Sequence, residues 1–180
     1  VRREIEAFLK KYPEMEEAFG YDFIKTHWQD ILILRKSAGK EADSLFNYGL
    51  IGLKKSFGIK WISKDEHWRG LVNLHIAIGN YGWFTFAYGL PKLKEGFYIK
   101  WINDHWEDLV MLGQHSAGKD TSLLFESGLP GLKKAFGDDW LETNWQNLLI
   151  VAKEAGKLTS DLFCEAIPYF KELITHQNLI

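Results

Sequence analysis

A unit of about 39 residues recurs along this chain, marked by a tryptophan at Trp28, Trp68, Trp106 and Trp145, with spacings of 40, 38 and 39. Its fullest form reads LF-xx-GLP-x-LKK-x-FG-xx-W-xxxx-W-xxL-xxxxxx-AGK. A period of this size marks stacked helical units, each too small to bury its own apolar face without a neighbour. Phe8, Phe46, Phe86, Phe125 and Phe163 hold one place in successive units. The expected partition is a single domain over 1–180: a partial unit 1–20, then 21–58, 59–97, 98–136 and 137–180.

Within a unit, the tryptophan segment has helical periodicity. Trp106, Leu109, Val110, Leu112 and Gly113 fall on one stripe of an amphipathic helix. Thr26-x-x-Gln29, Asp104-x-x-Glu107 and Thr143-x-x-Gln146 read as capping boxes at its start. The second unit has Glu66 and Arg69 there and two additional residues, so a longer loop is expected over Ser63 to Glu66. Ala38-Gly39, Ala117-Gly118 and Ala155-Gly156 predict helix ends at a glycine, followed by Lys40, Lys119 and Lys157 at the negative end of the dipole. Asp43-Ser44, Thr121-Ser122 and Ser160-Asp161 are candidate caps for a second short helix that closes at Gly128. Pro130 then opens a third, Gly131 to Phe136.

Three short helices per unit are similar to armadillo-type repeats, with two-helix, HEAT-like packing as the alternative. The resemblance is one of architecture. It implies an all-α fold, an α-solenoid of about four and a half units, with the repeated tryptophans in its core.

Composition excludes several classes. A net charge of −2 gives no overall pull toward nucleic acid or anionic membrane. The single Cys164 excludes an internal disulfide framework and fits a reducing compartment, so a cytoplasmic location is expected. No apolar run reaches the length of a membrane span, and no basic-then-apolar leader is present. A start at Val1 rather than Met is expected of a processed or excised piece.

Function is to be sought where the units differ or where exposed residues align. The sharpest difference is Asn80-Tyr81-Gly82-Trp83-Phe84, which replaces the polar Lys40-Glu41-Ala42-Asp43-Ser44 of the first unit. Tyr81, Trp83 and Phe84 are the candidate docking residues, since surface aromatics anchor interfaces. The competing explanation has these rings filling a gap in the core. Lys54, Lys55, Lys94, Lys133, Lys134 and Lys171 occupy one place in the repeat and form a candidate basic stripe for a phosphate backbone or acidic peptide. His27, His67 and His105 each precede the central tryptophan, about one helix layer (roughly 10 Å) apart, too far to share a metal. No metal, phosphate-loop or nucleophile motif appears, so neither an enzyme nor a cofactor is expected. The expected partner is a protein or peptide, with nucleic acid as the alternative. The apolar end Asn178-Leu179-Ile180 adds possible end-to-end self-association as a third expectation.

Overall fold

The computed structural model describes residues 1–116, 118 and 120–169; all their regular structure is helical, and there is no strand among them. Each unit has two helical legs. The first leg is a short helix running into a longer one: Tyr21–Thr26 into Trp28–Ala38, Ile59–Ile62 into Asp65–Ile78, and Ile99–Asp104 into Trp106–Ser116. In the fourth unit the two are one helix, Asp138–Ala155. The expected loop over Ser63 to Glu66 is only Ser63-Lys64, because the next helix already begins at Asp65.

This continuity removes the expected capping boxes. Around the break at His27, the amide of His27 donates to the Phe23 carbonyl and that of Ile31 to the His27 carbonyl. Thr26 is the last residue of the preceding helix, not the start of a new one, and no side-chain cap bond forms at the start of Trp28–Ala38. Thr143 lies inside an unbroken helix, its hydroxyl donating back to the Asp139 carbonyl at 2.8 Å, and Asp104 instead accepts from Lys100 at 2.6 Å. The long helices end at glycine as expected. Gly39 and Gly156 both take φ 55°, ψ −122°, the first corner of a type II′ turn, which a β-carbon resists.

The second leg corrects the three-helix expectation. Ala42–Ser44, Leu45–Gly49 and Leu50–Phe57 run on without a break, the middle five residues forming a widened π turn. The same sequence of α, π and α recurs over Gly82–Gly96 and Asp120–Phe136. The fourth unit repeats it from Thr159 through the π turn Leu162–Ala166. Gly128 therefore ends a π turn inside a helix. Ile51 stands where Pro91 and Pro130 stand, and the turn forms there too, so proline does not cause it. What the turn achieves is close packing: a β-carbon on Gly49 would lie 3.2 Å from the Trp83 backbone, and one on Gly89 3.2 Å from that of Ser122. Two of the candidate caps point elsewhere as well. Thr121 donates to the Gly113 carbonyl of the first leg, and Asp43 accepts from Tyr12 and Lys11; Thr159, which precedes the candidates Ser160-Asp161, donates to the Ala152 carbonyl.

Neighbouring units pack leg against leg. Asp65–Ile78 lies between Trp28–Ala38 and Trp106–Ser116, which in turn meets Asp138–Ala155. Leu90–Gly96 lies likewise between Leu50–Phe57 and Leu129–Phe136, while Pro13–Phe19 packs on Leu50–Phe57.

The four marker tryptophans are 1–4% exposed, and each later one bonds to the unit before it. Trp68 donates its indole N–H to Asp30 and Trp145 to Asp108, both at 2.7 Å. In the second unit Gly70 stands where Asp30 and Asp108 stand, and Trp106 donates to the Glu66 carbonyl instead, at 3.3 Å. A β-carbon on Gly70 would sit 2.4 Å from that indole nitrogen, so glycine makes the room.

An aromatic column closes over each of these tryptophans. Phe23, Trp61 and Trp101 meet Trp68, Trp106 and Trp145 edge-on at 5.1, 4.9 and 5.1 Å. Each meets in turn the phenylalanine that ends the preceding leg, tilted on Phe19 and Phe57 and stacked on Phe97.

Candidate docking surface

The turn Gly79–Tyr81 and the helical segment after it carry the irregular aromatics of the second unit. Tyr81 and Phe84 are exposed, whereas Trp83 is half-buried against the core, its backbone pressed on Gly49. The rings of this segment thus divide between two environments. Trp83 fills space between units; Tyr81 and Phe84 face solvent.

Sequence reading missed two further members. Tyr88, exposed on the following π turn, lies 4.7 Å from Phe84, and Leu123 of the third unit is exposed across a groove of about 450 Å³. Tyr88 was within reach, since Tyr48-Gly49 and Tyr88-Gly89 share a register. Trp83 meets Phe84 at 4.9 Å and 71°, and Tyr88 at 6.4 Å and 65°. Ring centres this close touch one another, so the group is a platform rather than a cage with room for a cation between its walls. The groove's rim is polar: Lys40 and Glu41 from the first unit, Asn80 from the second, Ser122 and Glu126 from the third.

Beneath the platform lies His75, fully buried, with neither ring nitrogen hydrogen-bonded to protein. Burial lowers its pKa to about 4, so the ring is neutral. Gly82 makes this possible, because a β-carbon there would lie 2.4 Å from the His75 ring. The buried hydroxyls of Thr85 and Ser122 also lack a protein partner, and Ser122 lines the groove.

The lysine row is not a uniform surface. Lys94 donates to the Ser56 carbonyl and lies over the Phe57 ring of the preceding unit. Lys133 repeats the contact one unit on, 4.9 Å from the Phe97 ring centre, and pairs with Asp138 at 2.9 Å. These two are inter-unit contacts. Lys54 is half-buried, Lys55 and Lys134 are exposed, and Lys171 lies outside the described residues.

The histidines before the ladder also serve packing. Nδ1 of His67 faces the Trp61 carbonyl at 2.8 Å and Nδ1 of His105 the Trp101 carbonyl at 2.9 Å, which assigns the proton to that nitrogen. Asn144 donates the equivalent bond to Trp140. Among the described residues no group of three or more His, Cys, Asp or Glu is arranged to hold a metal ion. Cys164 is half-buried against the Leu123 carbonyl, and burial raises its pKa, which keeps it a thiol. No described helix is long and apolar enough to cross a membrane. The chain matches no protein-family model, no curated protein and no solved structure.

Proposed function

We propose that the chain is a non-catalytic scaffold, an α-solenoid of about four and a half units forming one domain over 1–180, whose second unit docks a protein or peptide. The observation that carries this reading is the groove lined by the exposed Tyr81, Phe84 and Leu123, with the exposed Tyr88 ring beside Phe84. Exposed aromatics side by side at a turn contribute little to folding and match the anchors of interfaces. Trp83, half-buried, fixes the platform to the core. Rigid units bind without ordering themselves first, which lowers the entropic cost of association.

Charge separates this reading from nucleic-acid binding. The groove carries one lysine, Lys40, against two glutamates, Glu41 and Glu126, a net charge of −1 that repels phosphate. Of the lysine row, Lys94 and Lys133 are engaged between units.

Selection of peptides from a random display library tests the proposal. Enriched peptides should share an apolar or aromatic motif and lose about tenfold or more in affinity for a Phe84→Ala/Tyr88→Ala variant. Equal binding to that variant counts against the platform. Ligands that are polyanions, weaken steeply with salt and are lost on Lys55→Glu and Lys134→Glu would move the function to the lysines.

A further inference from the structure

The interface between consecutive units is repeated three times, and among the described residues the corresponding face of the fourth unit is more exposed. Six residues after the marker tryptophan stand Leu34, Leu74 and Leu112, each 0% exposed, and in the fourth unit Val151, which is 41% exposed. Ala38, Ile78 and Ser116 are buried, whereas their counterpart Ala155 is half open. At the start of the π turn Leu45, Thr85 and Leu124 are fully buried, and Leu162 is half open. Trp140 stacks on Phe136 at 4.2 Å as Trp101 stacks on Phe97, and is the counterpart of the rings that Trp106 and Trp145 meet edge-on in the columns before it.

We infer that this face, with Trp140, Val151 and Leu162 at its centre, is a docking surface for one further helical unit of the same kind. Its tryptophan-bearing helix would lie against Asp138–Ala155. The inference rests on the repeat reading but not on the aromatic groove. What identifies the occupant is continuity: in three instances such a face is covered by the next unit's tryptophan helix and π turn. The acceptor for an incoming indole N–H has its counterpart too, since Asn147 stands two residues after Trp145 as Asp30 and Asp108 stand after Trp28 and Trp106.

A second copy of the chain does not fit in this geometry. Its leading face is incompletely covered, with Leu32 36% exposed where Val72, Val110 and Leu149 are 5–8% exposed. However, Arg2–Lys11 and Pro13–Phe19 stand in front of its first unit as a second leg. Stacked in register, that leg would claim the place already held by Thr159–Ala166.

The test inserts a copy of residues 98–136 between Ile174 and Thr175, which keeps the register and the whole native chain. Docking predicts one cooperative transition, a larger denaturant slope and a thermal midpoint raised by roughly 5 °C or more. Val151→Asp should leave the midpoint of the native chain within about a degree and abolish the gain in the extended one. A separate, weaker transition for the inserted unit, or a gain indifferent to Val151→Asp, would overturn the inference. So would a dimer of the native chain by light scattering that Val151→Asp dissolves. Peptide binding at the groove should be unchanged in every variant, so failure here is distinguishable from failure of the groove reading.

Discussion

The second and third units solve the same packing problem in opposite ways. In the third, Gly113 leaves space that Leu74 and Thr121 share, the Thr121 hydroxyl donating to the Gly113 carbonyl; in the fourth Thr159 donates likewise to the Ala152 carbonyl. In the second, His75 supplies the bulk and Gly82 gives way. The exchange keeps the volume but replaces a bonded hydroxyl with an imidazole whose nitrogens are unpaired. It also places Phe84 in solvent on the segment Gly82-Trp83-Phe84, while Trp83 packs on the core. The unit least consistent with its neighbours thus carries both the buried defect and the exposed platform, a pairing expected where function competes with packing.

The comparison breaks most sharply at Gly82. Gly82→Thr alone drives a β-carbon into the buried His75 ring and should cost about 3 kcal/mol in urea unfolding. Adding His75→Ala recreates the Ala152/Thr159 arrangement and should recover most of that loss. Independent, additive costs would show that the two sites are not a compensating pair.

Acid probes the same place. His75 titrates near 4 when folded, against 6.5 ordinarily, so below pH 6.5 the unfolded chain takes up the proton first. Its contribution is whole above pH 6.5 and should fall by up to about 3 kcal/mol as pH drops toward 4. Burial lowers the His67 pKa as well, adding a slope of the same sign. The His75→Ala/Gly82→Thr variant should lose the larger part of this slope; an unchanged pH profile would show that His75 is not the titrating group.

Two smaller effects sharpen the contrast. Trp68→Phe removes a bond to a carboxylate and Trp106→Phe a longer bond to a carbonyl, so the first should cost roughly 1 kcal/mol more by chemical denaturation. Phe84→Ala, on the exposed platform, should change stability by less than about 0.5 kcal/mol while reducing peptide binding.

Much of the fold was legible because every unit makes the same interface, so the buried positions repeat: Trp28, Trp68, Trp106 and Trp145 are in the core as expected. The glycines that end the long helices were legible for a local reason, their conformation. What escaped reading depends on partners distant in sequence. Lys94 meets Ser56 from 38 residues away, so a contact between units looks like part of a charged stripe. The capping boxes misled because Thr26 and Asp104 have a helix on their N-terminal side. The Leu-Phe-x-x-Gly segments read as a helix end, since a π turn has no composition of its own. Tyr81 and Phe84 stood out against the repeat, but their company with Tyr88 and Leu123 required the fold.

The tryptophan ladder is tested most directly by nuclear magnetic resonance on the indole protons. The account predicts slow hydrogen exchange at the Nε1–H groups of Trp68 and Trp145, with through-space contacts linking Trp61 to Trp106 and Trp101 to Trp145, whose ring centres lie 4.9 and 5.1 Å apart. Exchange at the rate of free indole, or no contact between those rings, would contradict it.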